Sequence, residues 1–432
     1  MRVMTTAIVA FFIVGYLCIA LESVIKVNKA ATAIIMCVGC WVMFAAGGFC
    51  PEGLNEVIGK NLGEAGTTLF FLLGAMTIVE VVDRHGGFNP VRKLLQTHSK
   101  RALLWKMSIL TAFLSAVLDN LTTSIVMIMI LRKLIYDRDA RLIYASMIII
   151  AANSGGAFSP IGDVTTIMLW NGSFVTALGV ISEIFLPSMV SFLIPCAILQ
   201  YRLHGEVGGA ADNEEDLKLT ALGRPQRTAI FCLGVGGLCC VPAFHMATEL
   251  PPFLGILCVL GILWAVTEIF YRQHPEDDAN AMRVTQLLPR VDLSTILFFL
   301  GILMAVSVLA EIGVLAALGS WLDEAIGNHY LVTGAIGVLS AIVDNVPLVA
   351  GSMQMYPIAE IGDMAQDGIF WQLLAYCAGV GGSMLIIGSA AGVMVMGLEK
   401  ITFGWYLKNI TWVAAVGYVA GIAVYWLEKT IF

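Results

Sequence analysis

The sequence predicts an all-α polytopic membrane protein of two inverted repeats, each with five transmembrane helices, one of them broken mid-membrane, and one re-entrant helical hairpin. Three observations predict it. The 432 residues are 59% hydrophobic and 13% charged, with mean hydropathy +0.87. Three strings recur in the same order in both halves, and the Lys and Arg residues gather on one side only if one segment per half turns back. So little charge cannot clothe so apolar a chain in a water-soluble surface.

Apolar segments long enough to approach or cross a ~30 Å hydrocarbon core cover 3–21, 30–50, 66–82, 103–131, 142–170 and 174–201 in the first half. In the second half they cover 228–248, 252–271, 294–311, 331–353, 370–398 and 405–427. No small-residue cleavage pattern follows Ala20, where Leu21-Glu22-Ser23 stands, so the first segment reads as a mature span. The formal charge of −7 belongs to loops and a few intramembrane positions, and no basic nucleic-acid face is implied. The cysteines lie within apolar segments, and the Cys37–Cys40 pair lacks a His or second Cys pair to complete a metal site. They read as small packing residues.

The repeat is read from three matches. Leu69-Phe70-Phe71-Leu72 matches Leu297-Phe298-Phe299-Leu300, LSAVLDN (114–120) matches LSAIVDN (339–345), and Gly155-Gly156 with Ile161-Gly162 matches Gly381-Gly382 with Ile387-Gly388. A register that drifts so little marks duplication. Repeat one is expected over 1–201 and repeat two over 228–432. The linker 202–227 contains Gly208-Gly209 and an acidic run over 212–216, and reads as a cytoplasmic loop.

If all twelve segments cross, the 24 Lys and Arg split almost evenly between the two sides. If 103–131 and 331–353 enter and leave on one side, all of them except Arg2, Lys60 and Lys429 fall on one face, which the positive-inside rule makes cytoplasmic. The loops beside the first hairpin hold Arg84, Arg92, Lys93, Lys100, Arg101, Arg132, Lys133, Arg138 and Arg141. Those beside the second hold Asp323, Glu324, Glu360, Asp363 and Asp367 and no Lys or Arg. Five crossings per repeat force the second copy to insert inverted, with both termini outside. An arm of ~12 helical residues rises ~18 Å, enough to reach the midplane, so the turns fall near Asp119-Asn120 and Asp344-Asn345.

A turn at that depth exposes backbone groups that only protein or a hydrated cavity can satisfy. Asp119, Asn120, Thr122 and Thr123 offer hard oxygen ligands suited to Na⁺, Li⁺ or a proton, and the second tip offers Asp344 and Asn345, with Pro347 ending an arm. An Asp near a helix centre costs ~2.5–3.5 kcal/mol on insertion scales. The competing role is a helix cap, which a neutral Ser or Asn would fill without burying charge. Segment 142–170 is interrupted by Gly155, Gly156, Pro160 and Gly162 and should unwind mid-membrane. Asn153, Ser154, Ser159, Asp163, Thr165 and Thr166 supply further oxygens there. Its counterpart, 370–398, has Ser383 and Ser389 and no carboxylate at the break. Glu183 is a candidate for a proton path or for an interhelical hydrogen bond. Glu80, Asp83, Glu268 and Glu311 stand near span ends and read as snorkelling groups. His85 and His98 read as solvated loop histidines, with pH sensing as the alternative.

With Asp-Asn tips in both hairpins and the broken helix NSGGAFSPIGDVTT (153–166), the sequence resembles the NhaD type of Na⁺/H⁺ antiporter in the ion transporter superfamily over nearly its whole length. The dicarboxylate carriers of that superfamily have Ser-Asn-Thr tips; here neither that tip nor a basic residue for a substrate carboxylate stands at the matching positions, which favours cations. A more distant likeness to arsenite carriers remains. The resemblance implies exchange of Na⁺ or Li⁺ for H⁺ by alternating access. Cation and protons would compete for Asp119, Asp163 and Asp344, with the principal site in repeat one.

The expected partners are the lipid bilayer, monovalent cations and protons, with no cofactor and no nucleic acid; a homodimer is compatible with this reading. The expected location is a bacterial inner membrane. Competing readings are an organic-anion symporter, a passive channel and, remotely, an intramembrane aspartyl protease.

Overall fold

The computed structural model describes residues 2–20, 25–49, 53–87, 94–95, 97–207, 222–272, 283–342 and 345–431. Among them no β-strand forms. The first half contains α1 (Arg2–Ala20), α2 (Lys29–Ala46), α3 (Leu54–Arg84), α4 (Lys100–Leu118), α5 (Asn120–Leu134), α6 (Arg138–Ala157), α7 (Val164–Asn171) and α8 (Ala177–Leu199). The second contains α9 (Arg224–Thr248), α10 (Pro252–Arg272), α11 (Leu293–Glu311), α12 (Val314–Ile326), α13 (His329–Ser340), α14 (Asn345–Met355), α15 (Ile369–Gly381), α16 (Ala390–Glu399), α17 (Phe403–Asn409) and α18 (Thr411–Ile431).

Nine helices among the described residues are long and apolar enough to cross a membrane: α1 to α4, α8 with its extension to Arg202, α9, α10, α11 and α18. Large apolar side chains such as Val3, Ile35 and Trp426 point outward from them. In water such a surface would aggregate; in a bilayer it is the solvated face. The protein is a multi-pass integral membrane protein.

Packing is reciprocal between the halves. α1 packs on α2 as α9 packs on α10, and α2 lies against α11 as α10 lies against α3. The first cross-contact is close because Gly301 sits on the Ala33 backbone, and Trp41 Nε1 donates to Met304 O at 2.9 Å. α8 and α18 approach through Gly417, where an added Cβ would stand 2.7 Å from Pro195 Cγ, and Gly421, where it would stand 2.8 Å from Pro187 O. This is the small-residue contact that membrane helices use where the hydrophobic effect offers no drive.

The break between α4 and α5 is the single residue Asp119. Tyr144 Oη donates to Lys100 O at 2.5 Å, and Lys100 Nζ lies 3.5 Å from Asp137 Oδ2, so α4 begins beside the point where α5 ends and α6 starts. At the other end of α4, Ser115 Oγ donates to Ala152 O at 2.6 Å. α4 and α6 therefore run side by side in the same direction, and α5 returns. The second half copies this: the His329 and Tyr356 rings lie 5.9 and 4.9 Å from Phe370, and Ser340 Oγ donates to Ala378 O at 2.9 Å.

The arms are unequal: α4 has 19 residues, α5 15, α13 12 and α14 11. At 1.5 Å per residue α4 rises ~28 Å, more than the ~18 Å expected of an arm. It is longer because Ser99 caps it inside the basic loop, and its first turns carry Lys100, Arg101 and an exposed Lys106.

The long apolar segments 142–170 and 370–398 are each broken, into α6 and α7 and into α15 and α16. These two broken helices run antiparallel. At one end, Arg141 Nε and Arg132 Nε each lie 2.6 Å from the Glu399 carboxylate, and Arg132 also donates to Leu398 O. At the other end, Asp367 accepts from Thr176 N and Thr176 Oγ1 at 2.7 Å, and Gln366 Nε2 donates to Ser173 O at 2.8 Å. The Glu399 carboxylate is buried and the two guanidiniums are partly exposed, so it needs at least one of them: leaving a buried charge without a partner costs about 3–5 kcal/mol.

Candidate functional site

Where the helices break, backbone groups lose their partners, and the sequence supplies side chains that replace them. Asp163 begins α7, its Oδ1 accepting from Thr165 N at 2.8 Å and Thr165 Oγ1 at 2.7 Å. Ser389 begins α16 at the equivalent place, accepting from Gly392 N at 3.1 Å. These are N-cap bonds, each satisfying one of the free amides of a helix start. The glycines before them are required by proximity: a Cβ on Gly162 would stand 2.7 Å from Ser115 O, and one on Gly388 would stand 2.7 Å from Ser340 O. Each hairpin thus presses its tip onto the break of its own half.

The second oxygen of Asp163 faces the hairpins. Asn120 Nδ2 donates to Asp163 Oδ2 at 2.5 Å and to Asn153 Oδ1 at 3.2 Å. From the other half, Asn345 Nδ2 reaches Asp163 Oδ1 and Oδ2 at 3.3 and 3.5 Å. Asn153 Nδ2 in turn donates to Ser383 Oγ at 3.0 Å and Ser389 Oγ at 2.9 Å. One carboxylate therefore takes amides from both hairpins, and Asn153, which accepts from Asn120, ties the Ser383 and Ser389 hydroxyls of the second break into the same network. All six residues are buried, Asp163 to 1% exposure and Asn153 to 0%. Burial of a carboxylate is tolerable here because its lone pairs are hydrogen-bonded.

The other candidate residues are placed differently. Asp119 turns its carboxylate onto its own helix, accepting from Thr122 N and Thr122 Oγ1, both at 2.8 Å. Its φ of 88° lies in a region that L residues adopt at a cost of about 1–3 kcal/mol. Thr123 Oγ1 is buried, with no hydrogen bond among the described residues, on the same helical face as Asn120. Ser154 accepts from Ser191 at 2.7 Å, Ser159 donates to Ala116 O at 2.5 Å, and Thr166 donates to Asp163 O at 2.9 Å. These three hold the framework together. Asp344 lies outside the described residues.

Glu183 is not brought to this cluster. It pairs with Lys429 at 2.9 Å and accepts from Tyr425 Oη at 3.2 Å near the end of α18. Glu80 pairs with Arg84 at 2.8 Å, and Glu268 with Arg283 at 3.1 Å. His85 is a correction: it is no solvated loop residue but fully buried, with Nδ1 2.6 Å from Val81 O and Nε2 2.9 Å from Tyr271 Oη. Burial lowers its pKa, the Val81 carbonyl opposes that, and Arg227 adds to the lowering. Ser115, Ser340 and Glu399 also hold the framework, and none of them is among the candidates that the sequence offers. The serines stand inside the repeated LSAVLDN and LSAIVDN strings and could have been found there; Glu399 carried no signal beyond a charge at an apolar segment's end.

The family model described as "Citrate transporter" matches residues 1–371. Sodium/proton antiporter 1 of Arabidopsis thaliana is 43% identical over 419 residues, covering 97% of this chain and 72% of the relative. The Na⁺/H⁺ antiporter NhaD of Alkalimonas amylolytica is 30% identical over 455 residues, covering 98% and 91%. The Alcanivorax borkumensis YdaH transporter has a similar fold, with a TM-score of 0.53 at 14% identity and 99% of each chain covered. The chain belongs to the citrate transporter family and, within it, to the NhaD type of Na⁺/H⁺ antiporters.

Proposed function

We propose that this protein is a secondary active transporter that exchanges Na⁺ or Li⁺ for H⁺ by alternating access, with Asp163 as the principal carboxylate. The observation that carries the proposal is the single buried carboxylate that takes neutral amide donors from both hairpin tips. Relatives named as Na⁺/H⁺ antiporters, similar over nearly the whole chain, support it.

The arrangement suggests how ion and proton would compete. Asn120 and Asn345 present N–H groups to the carboxylate, and rotating either amide by a half-turn presents its oxygen instead. Carboxylate, amide oxygens and the Ser383, Ser389 and Thr123 hydroxyls then form the hard-oxygen set that Na⁺ or Li⁺ takes. A proton on Asp163 removes the charge that attracts the cation, so the two displace one another. Asp119 and Asp344 would add carboxylates at the tips. Ion and proton are substrates, and no cofactor enters the scheme.

In this reading the two halves are inverted repeats, 1–201 and 228–432, joined by a cytoplasmic linker. The hairpins are re-entrant from opposite faces, both termini lie outside, and the protein sits in a bacterial inner membrane. The antiparallel broken helices and the return of each hairpin to the start of its own broken helix support this topology. The experiment is reconstitution into proteoliposomes under a pH gradient. Addition of Na⁺ or Li⁺ should collapse the gradient, K⁺ should not, and flux without exchange would indicate a channel. The family description favours a second reading, Na⁺-coupled uptake of an organic anion such as citrate. Against it, the side chains hydrogen-bonded to Asp163 from the two hairpins, Asn120 and Asn345, are neutral amides, and Na⁺-dependent citrate or succinate uptake would reinstate it.

A further inference from the structure

A cavity of about 400 Å³ lies between the start of α3, the end of α11 and the ends of α7 and α14. Its wall includes Asn61, Glu64, Met168, Asn171, Ser307 and Ala350. Met168 stands five residues beyond Asp163 on α7, and Ala350 five beyond Asn345 on α14. At 1.5 Å per residue each is ~7.5 Å along its helix from the candidate site. The cavity therefore lies beside the two helices that begin at the candidate site, about one to two turns from it.

Its polar groups are those a partly hydrated cation needs. Asn171, at the end of α7, has its amide nitrogen and oxygen buried with no hydrogen bond among the described residues. An amide left so is costly, and a small turn of the side chain into the cavity would give its oxygen a ligand. Ser307 Oγ donates to Met304 O at 2.9 Å, which leaves its lone pairs available. Glu64 is exposed at the mouth. Asn61 Nδ2 donates to Glu311 Oε1 at 3.0 Å, so a second carboxylate is held beside the opening.

We propose that this cavity is a second cation site, holding a partly hydrated Na⁺ or Li⁺ at Asn171, Ser307 and Glu64 before it passes to Asp163. It rests on the reading that the protein carries such cations, and it adds a site on the Asn171 side of the molecule alone. The test is Na⁺-dependent thermal stabilisation of the full chain in detergent, in the wild type, in Asp163→Asn, and in Asp163→Asn combined with Asn171→Leu or with Glu64→Gln.

The expected result is that Asp163→Asn keeps part of the Na⁺-dependent shift, that Asn171→Leu removes that part and that Glu64→Gln reduces it. Loss of the whole shift in Asp163→Asn overturns the second site, as does a residual shift that neither added substitution changes. In oriented proteoliposomes, Asn171→Leu alone should raise the apparent KM for Na⁺ about fivefold at the cavity face, the scale of one lost polar contact. The KM at the opposite face should not change; an equal change at both faces also overturns the proposal. Absence of Na⁺-driven proton movement in the wild type would sink the antiport reading instead, and the stabilisation test would still decide the cavity.

Discussion

Asn120 donates to Asp163 at 2.5 Å, tying the tip of the first hairpin to the residue that starts α7. Asn345 reaches the same carboxylate from the second hairpin. Asp163→Asn should abolish Na⁺-dependent proton movement in vesicles. Thermal stability should fall by about 1–3 kcal/mol, because an Asn oxygen can still accept from Thr165 N but its amide nitrogen faces the donors of Asn120 and Asn345. Exchange at wild-type rate in that variant would remove Asp163 from the mechanism.

Asp119 separates two roles that use the same residue type. Its carboxylate now caps α5 through Thr122. Asp119→Asn keeps an acceptor for Thr122 N but loses the charge. The expected outcome is loss of exchange in proteoliposomes with the melting temperature held. If it is only a cap, exchange survives.

The close approach of hairpin and break makes Gly162 and Gly388 intolerant of a side chain. A Cβ on Gly388 would stand 2.6 Å from Ala341 O, and one on Gly162 would stand 2.8 Å from Gly156 Cα, backbone contacts that cannot swing aside. Gly162→Ala and Gly388→Ala should each destabilise the protein by about 1–3 kcal/mol, the usual cost of overpacking. Both should also lower exchange by shifting a hairpin tip away from Asp163. Detergent melting and proteoliposome flux measure the two effects separately.

Glu399 holds Arg132 and Arg141 together at 2.6 Å each, with its side chain 1% exposed. Glu399→Gln should destabilise the protein by less than the ~3–5 kcal/mol of a fully buried pair, because Arg132 and Arg141 are 45% and 25% exposed and water screens the charges left behind. Replacing Arg132 and Arg141 by Met in the same variant should restore part of that loss. A melting temperature unchanged in Glu399→Gln would show the triad to be dispensable.

The helix breaks at Asp163 and Ser389 were legible because glycines and polar residues recur at matching places within apolar segments, and few physical causes produce that pattern. Sequence could not show where Asp119 points, since a cap and an ion ligand call for the same side chain and the choice depends on φ and on Thr122. The length of α4 was missed because Ser99 starts the helix within a basic loop, where hydropathy reports polarity and not helicity. Of the two readings of Glu183, the interhelical hydrogen bond is present, from Tyr425 with Lys429 beside it, and sequence could not name partners so far along the chain. His85, expected in a solvated loop, is buried because its neighbours Tyr271 and Arg227 are supplied by distant segments, and no local pattern announces that.

That burial has a pH consequence. The ordinary value of a histidine is 6.5, and the folded value of His85 lies below it, chiefly through desolvation. The unfolded chain therefore binds a proton that the folded protein refuses, and stability falls as pH drops below 6.5. The loss continues until the folded value is reached and then levels off; above 6.5 the contribution is fully present. His85→Gln can keep a hydrogen bond to Tyr271 without titrating, so its melting temperature should decline less than wild type between pH 7 and pH 5. Parallel declines in the two proteins would show that other groups govern the acid limb.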